Sequence, residues 1–294
     1  MADLIFNIQR RFRYDVLKQV DTPNGRRYVD AETGLALPSV TTILDKTKNK
    51  AALEEWAQRV GREEAEVRRQ TSAAIGTAMH LFLEAQIKQR PLWPATLKTQ
   101  LLGYRMGANL LDKFHVKLDE VWGNEVKVHF MDRYAGTTDL VGIYNGKPSI
   151  IDFKQADKMK KREWLGDYFL QLAAYARAHN WQHATNIRQG VILMASHDGG
   201  LQEFLLLDRE FDHYLHSWDF KVAEAGLVAE SWDSESHLGT DEKTAHTSPE
   251  YPAAEVEEAR TVSQGSAIRD ERQMELPGLE PPEVEATSDG QEPA

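Results

Sequence analysis

Asp139, Asp152 and Lys154 lie on a predicted β-hairpin that sets the two carboxylates opposite each other. Asn145 and Gly146 form the preferred dipeptide of a two-residue type I′ turn, and β-branched and aromatic residues flank them on both sides. If the chain turns there, cross-strand partners have numbers that sum to 291, so Asp139 faces Asp152, and Lys154 lies on the same face of the sheet. Opposed like charges destabilise a sheet, and either a divalent cation between the carboxylates or a shared proton would remove the repulsion.

The elements around this hairpin predict an α/β fold with a central mixed β-sheet flanked by helices. A β-rich segment over residues 1–37, with strands at 11–16 and 27–30 around a turn at 23–25, precedes the helices. Apolar periodicity and breaking residues then predict helices at 50–70, 72–87, 95–114, 164–178 and 212–225, and strands at 120–130, 136–144, 147–154, 188–194 and 201–207. We expect these elements to form one domain over residues 1–232.

The acidic charge of the chain is concentrated in its last 62 residues. The net charge is −11, but residues 233–294 hold 16 acidic and 4 basic residues, while the remaining 232 hold 30 acidic and 31 basic ones. The same segment is rich in Glu, Pro, Ser and Thr, which predicts a disordered acidic tail. The acidity therefore does not argue against a polyanionic partner for the domain.

The absence of cysteine excludes several kinds of site. Without cysteine the chain has no disulfide, no thiolate zinc site and no cysteine-ligated iron–sulfur cluster. The first residues lack a long apolar core, and no run approaches the ~18 apolar residues of a membrane span. We therefore expect no signal peptide, no membrane partner and a cytoplasmic location, in the bacterial host if the chain is encoded by a phage.

Five features follow one another in an order that resembles the PD-(D/E)XK nuclease superfamily, in its RecB-like, phage-type exonuclease branch. They are the helical stretch that ends in His80, the strand residue Glu125, then Asp139, the Asp152-Phe-Lys154 strand, and the helical pair Gln171 and Tyr175. The resemblance covers about residues 38–180. It implies the restriction-endonuclease-like core fold and a metal-dependent DNA exonuclease, with His80 as a metal ligand and with Gln171 and Tyr175 lining the site.

Phosphodiester hydrolysis gives the polar residues matching roles. It needs a cation that neutralises charge on the phosphate and acidifies a water, and oxygen ligands suit Mg²⁺ or Mn²⁺. Asp139, Asp152 and the Phe153 carbonyl are candidate ligands, and Glu125 adds another directly or through water. Lys154 would position the attacking water and stabilise its hydroxide form, or stabilise the pentavalent phosphate.

Each of these residues also has an ordinary structural explanation. His80 lies among apolar residues and is compatible with a satisfied core histidine, and Glu125 with a surface residue of an alternating strand. Lys154 could simply pair with Asp152. Gln171 and Tyr175, four residues apart on one helix face, also fit an ordinary amphipathic helix.

The segment after the hairpin is basic. Lys158, Lys160, Lys161 and Arg162 follow the predicted catalytic strand, so a loop that binds DNA phosphates is at least as plausible as a solvated charge run. The nearby aromatic residues of the helix that follows could stack on bases or pack in the core.

One segment of the tail, residues 273–279, differs from its polar surroundings. Gln273, Leu276 and Leu279 resemble the short motif by which bacterial polymerases and accessory factors bind the sliding clamp. The usual terminal aromatic is missing, and chance within a biased tail would also explain the match. A tethered peptide of this kind would raise the local concentration of the domain at replicating DNA.

Taken together, the residues and the resemblance predict a Mg²⁺- or Mn²⁺-dependent exonuclease acting on the ends of linear DNA, in phage or bacterial recombination, repair or replication. A single-strand annealing protein and the sliding clamp are the predicted partners. The alternatives are an endonuclease for flapped or branched DNA, and a non-cleaving accessory protein that binds DNA or the clamp.

Overall fold

The computed structural model describes residues 4–231, which form two β-sheets and six α-helices. The strands are β1 (Leu17–Thr22), β2 (Gly25–Asp30), β3 (Leu35–Pro38), β4 (Leu118–Phe130), β5 (Tyr134–Tyr144), β6 (Lys147–Ala156), β7 (Gln189–Ser196), β8 (Leu201–Leu206) and β9 (Glu230–Ser231). The helices are α1 (Val40–Thr47), α2 (Ala51–Val60), α3 (Arg62–Ile87), α4 (Lys98–Phe114), α5 (Gly166–His183) and α6 (Asp208–Ala225). None of the helices in this part of the chain combines the length and the apolar character that a membrane crossing requires.

The larger sheet has the order β4-β5-β6-β7-β8 and is mixed. Strands β6 and β7 are parallel and are joined through α5, whereas the other neighbours are antiparallel. The smaller sheet has the order β1-β2-β3-β9. The predicted α/β class, a central mixed sheet flanked by helices, is confirmed. The predicted domain end at residue 232, the acidic tail 233–294 and the peptide 273–279 lie outside the described residues.

The hairpin between β5 and β6 has the predicted register. Tyr144 pairs with Lys147 and Leu140 with Ile151, so that partners sum to 291. Asn145 and Gly146 have φ values of 49° and 73°, the left-handed conformation that a type I′ turn requires at both central residues.

Strand β6 is buried on both faces of the sheet. Ile150 packs in the core cluster that contains Leu172 of α5, whereas Ile151 packs on the opposite face with Met79 of α3 and Leu110 of α4. Full burial of one such side chain contributes about 1.5–3 kcal/mol. The polar residues that follow on β6 therefore lie in the interior and not on a solvated face.

Two local predictions are wrong. The helices expected at 50–70 and 72–87 break instead at Gly61, whose φ is 92°, and α3 then runs without interruption to Ile87. Ser72 lies inside α3 and does not cap a helix. Its hydroxyl instead accepts a hydrogen bond from Gln155 of β6. The strand expected at 11–16 is absent, since Phe12 and Tyr14 pack edge-on against histidines of α5 and β1 begins only at Leu17.

The short helix α1, which precedes α2, was not predicted as a separate element. Ser39 follows β3 directly and caps α1, its hydroxyl accepting a hydrogen bond from the Thr42 amide at 2.9 Å. This N-terminal cap explains why the segment after Pro38 starts a helix of its own.

Candidate active site

Asp139 and Asp152 lie on adjacent strands and are almost fully buried, with exposed fractions of 3% and 1%. The regular β5–β6 pairing ends at Leu140 and Ile151, and the two aspartates are the next residue on each strand, so the same register sets them opposite each other. The carboxylate of Asp139 is oriented by the backbone of β6, because the Phe153 amide donates a hydrogen bond of 2.8 Å to its Oδ2 atom. The position of Asp139 is therefore fixed by the strand that carries Asp152.

Lys154 forms a buried ion pair with Asp152. The distance from Lys154 Nζ to Asp152 Oδ2 is 2.6 Å, and the ammonium also lies 5.1 Å from the centre of the Tyr168 ring. Burial and the nearby Asp139 carboxylate raise the pKa of Asp152 to about 6, although Lys154 acts in the opposite direction. Burial alone would lower the pKa of Lys154, but the carboxylates of Asp152 and Asp139 outweigh it and raise that pKa. Lys154 is therefore a cation at neutral pH.

His80 and Glu125 complete a cluster around Asp139. His80 Nδ1 lies 3.7 Å from Asp139 Oδ2 and 3.9 Å from Glu125 Oε1. Each of the three residues offers one ligand atom, and these atoms lie within 4.8 Å of one another. Helix α3 thus brings His80 beside carboxylates of β4 and β5, and Glu125 faces this cluster with only 16% of its side chain exposed.

The donor set fits a divalent cation. Two carboxylates and an imidazole converge, and the charges of the carboxylates are brought together in an interior where they need compensation. Asp152 Oδ1, beside the cluster, is buried without a hydrogen-bond partner among residues 4–231. Such an atom is expected where a cation or water binds. His80, Glu125 and Asp139 are the residues that the structure brings together for a cation, with Asp152 and the Phe153 carbonyl as further predicted ligands.

Glu125 has a backbone conformation that the sequence did not indicate. Its φ is 55°, in the left-handed region that a residue with a side chain rarely adopts. In the β4–β5 ladder Asn124 pairs with Leu140 and Val126 with Thr138, while the Glu125–Asp139 position between them is skipped. The irregularity lies at a predicted ligand, which is where strained backbone is often found.

Sequence reasoning also missed Asn124. Its side chain is buried, and its Nδ2 atom donates a hydrogen bond of 2.7 Å to the backbone carbonyl of Asp139. Glycine and asparagine are depleted in strands, so the consecutive Gly123 and Asn124 inside a predicted strand were the one available sign of an irregularity.

Gln171 and Tyr175 form a buried pair on α5. The Gln171 amide donates a hydrogen bond of 3.0 Å to the Tyr175 hydroxyl, and Gln171 Oε1 has no hydrogen-bond partner among the described residues. The Tyr175 ring lies against Gly136 of β5, where an added Cβ would be 2.4 Å from Tyr175 Cε1. The pair therefore depends on a glycine on the strand that carries Asp139.

The basic segment begins beside the ion pair. Lys160 Nζ lies 5.4 Å from the centre of the Tyr168 ring, the same ring that Lys154 contacts. Lys158 is exposed. Tyr168 itself is buried, with an exposed fraction of 6%, so it packs between cations in this structure.

The end of the basic segment is engaged in other contacts. Arg162 forms an ion pair of 2.5 Å with Glu210 of α6, and its guanidinium lies 4.7 Å from the centre of the Phe169 ring. Lys161 is exposed and lies over the Trp164 ring at 5.4 Å. A DNA phosphate would have to compete with Glu210 for Arg162, whereas Lys158 and Lys161 are exposed at the surface.

The chain has distant relatives among known proteins. No family model matches it. It is 28% identical over 208 residues to mitochondrial genome maintenance exonuclease 1 of Homo sapiens. It is 29% identical over 204 residues to the protein of the same name from Xenopus tropicalis. Each match covers 64% of this chain. The chain spans 58% and 57% of those two proteins, less than two thirds of their length.

Solved structures show a weaker likeness. A protein from Eubacterium rectale described as a candidate exonuclease superposes with a TM-score of 0.38 and 10% identity, over 60% of this chain and 77% of its own. The similarity to the two vertebrate exonucleases supports a nuclease fold for this chain.

Proposed function

We propose that this protein is a nuclease that hydrolyses phosphodiester bonds of DNA with Mg²⁺ or Mn²⁺, and that it acts from the ends of linear molecules. The observation that carries the proposal is the convergence of His80, Glu125 and Asp139 beside the buried pair of Asp152 and Lys154. The similarity to two proteins named as exonucleases supports the same reaction class. The proposed setting is recombination, repair or replication of phage or bacterial DNA.

His80, Glu125 and Asp139 would hold the cation, together with Asp152 and the Phe153 carbonyl. When bound, the cation neutralises charge on the phosphate and acidifies a water. Asp139 enters this arrangement already oriented, since its Oδ2 accepts the Phe153 amide hydrogen. A carboxylate that is held in place needs little reordering when a ligand binds, which favours catalysis.

Lys154 has an electrostatic role in this proposal. The neighbouring carboxylates raise its pKa, so its amine holds a proton at neutral pH and does not serve as a general base. A buried ammonium instead donates hydrogen bonds to the attacking water or to a phosphate oxygen, where the low dielectric makes its charge effective. Lys158, Lys160, Lys161 and Arg162 are proposed to contact phosphates further along the strand.

The proposal is tested by cleavage of end-labelled linear duplex, linear single-stranded and closed circular DNA with Mg²⁺, Mn²⁺ or EDTA. Asp152→Asn should abolish cleavage, whereas the matched control Asp219→Asn, which removes an exposed carboxylate paired with Arg177 on α5, should not. Metal-dependent loss of linear DNA alone supports an exonuclease. Cutting of circles indicates the endonuclease, and a folded, metal-binding protein that cleaves nothing indicates the accessory protein.

Binding to a sliding clamp through Gln273, Leu276 and Leu279 stays a prediction, as does a single-strand annealing partner. The peptide lies outside the described residues.

A further inference from the structure

We infer that Asn124 is a positioning residue that holds Asp139 and Glu125 at the separation a divalent cation requires. The inference rests on the proposed metal-dependent function and adds a residue to it. Asn124 is buried, with an exposed fraction of 8%, and its Nδ2 atom donates a hydrogen bond of 2.7 Å to the Asp139 carbonyl. The ligand atoms of the cluster belong to His80, Glu125 and Asp139.

The amide of Asn124 acts where the regular strand pairing is interrupted. The β4–β5 ladder pairs Asn124 with Leu140 and Val126 with Thr138, but Glu125 and Asp139 do not pair. The left-handed φ of 55° at Glu125 turns its peptide groups away from the geometry of an antiparallel ladder. A buried backbone carbonyl needs a donor, and the Asn124 side chain supplies one to the carbonyl of Asp139.

Asp139 is thereby held from two neighbouring strands. Asn124 on β4 bonds its backbone, and the Phe153 amide on β6 bonds its carboxylate. The Oδ2 atom that Phe153 contacts is also the one that faces His80 at 3.7 Å. Without the Asn124 bond, β5 could shift relative to β4 at this position, and the distance between the Glu125 and Asp139 carboxylates would change.

The two halves of the Asn124 amide differ in their contacts, and it is the Nδ2 atom that bonds to Asp139. Asn124 Oδ1 is buried and has no hydrogen-bond partner among residues 4–231. A buried polar atom without a partner destabilises the fold, so an apolar residue of the same size would remove that penalty. The hydrogen bond from Nδ2 is therefore the contribution that this residue makes to the site.

The test compares Asn124→Ala with a matched control, Asn180→Ala. Asn180 on α5 is partly buried and, like Asn124, donates from Nδ2 to a backbone carbonyl, that of Ile187 at 3.0 Å. The Mn²⁺ dissociation constant of each folded protein is measured from the electron paramagnetic resonance signal of free Mn²⁺, and the thermal unfolding midpoint is measured in EDTA. Cleavage of linear DNA is then followed as Mn²⁺ is raised.

We expect Asn124→Ala to weaken Mn²⁺ binding about 10-fold or more, as loss of a residue that supports a metal ligand typically does. Excess Mn²⁺ should restore part of its cleavage. Asn180→Ala should lower the unfolding midpoint and leave the Mn²⁺ dissociation constant within about twofold of the wild type. Asn124→Leu, which occupies nearly the same volume without a donor, should behave like Asn124→Ala and serves as a second variant if the alanine protein does not fold.

Several results would overturn the inference. Mn²⁺ binding unchanged in a folded Asn124 variant, or weakened equally in Asn180→Ala, would show that Asn124 does not position the ligands. Loss of folding in both Asn124 variants would show a purely structural role. If the wild type binds Mn²⁺, Asp139→Ala does not, and Asn124→Ala binds normally, only this inference fails. A wild type that binds no divalent cation removes the proposed function as well.

Discussion

Replacement of Lys154 by methionine should destabilise the protein in a way that depends strongly on pH. The change removes the ammonium 2.6 Å from Asp152 Oδ2 and leaves a buried carboxylate beside Asp139. Leaving a buried charge unpaired typically costs about 3–5 kcal/mol. Asp152 can avoid this cost by binding a proton, and its pKa, already about 6 with Lys154 present, can only rise when the cation is removed.

The proton uptake sets the magnitude. In the wild type the pKa of Asp152 is raised above its unfolded value, so the folded state binds the proton more tightly than the unfolded state does. The contribution of Asp152 to the unfolding free energy therefore falls as pH rises toward 6. In Lys154→Met the fall continues above pH 6, at about 1.4 kcal/mol per pH unit. The electrostatic difference between variant and wild type should therefore be near zero at pH 5 and up to about 3 kcal/mol at pH 8.

Urea unfolding in EDTA at pH 5, 6, 7 and 8 measures this difference directly. The matched control is Lys50→Met, which breaks an exposed ion pair of 3.0 Å with Asp45 and should cost less than about 1 kcal/mol at every pH. A difference between Lys154→Met and wild type that does not change from pH 5 to pH 8 would refute the reasoning, because it would mean that Asp152 is not the group that titrates.

Two further predictions concern residues that support the site or the fold. Gly136→Ala would place a Cβ atom 2.4 Å from the Tyr175 ring, so it should lower the unfolding free energy by about 1–3 kcal/mol and reduce the proposed DNA cleavage. Gly166→Ala, with the nearest atom 4.0 Å away, is the control, and equal effects of the two changes in urea unfolding would contradict the prediction. His179 is buried, and burial lowers its pKa to about 3, so the contribution of His179 to the unfolding free energy should fall by about 1.4 kcal/mol per unit as pH drops from 6.5 toward 3, opposite in sign to the contribution of Asp152. The difference in unfolding free energy between wild type and His179→Gln should therefore change with this slope over the same pH range, and a difference that stays constant in urea titrations would count against the assignment.

The parts of the site that lie close together in sequence were predictable. The Asn145-Gly146 turn and the alternation on both sides of it fix the hairpin, and from the hairpin follow the positions of Asp139 and Asp152. His80 could not be placed beside them by the same argument, since its approach depends on how α3 packs on the sheet. Its role was predicted from the resemblance, and the structure places it within reach of the carboxylates.

The features that could not be predicted are those that tertiary contacts impose. The left-handed backbone of Glu125 could not be assigned to that residue from the sequence, because most residues with φ above zero are glycine or asparagine and the neighbouring Gly123 and Asn124 indicate only that the strand is irregular. Phe12 and Tyr14 have high strand propensity, but packing against histidines of α5 takes precedence. Ser72 looks like a helix start and is instead one half of a bond between α3 and β6.

Because of the backbone conformation of Glu125, selection for stability and selection for activity should favour different residues at this position. Glycine at this position would relieve the left-handed strain and would remove a charge from the crowded carboxylates. A library of variants screened only for heat resistance should therefore enrich glycine at residue 125, while a screen for growth that depends on cleavage should reject it. A library designed to raise the thermal stability of this protein should therefore leave position 125 unchanged, because the substitution that such a selection would enrich there removes a proposed ligand.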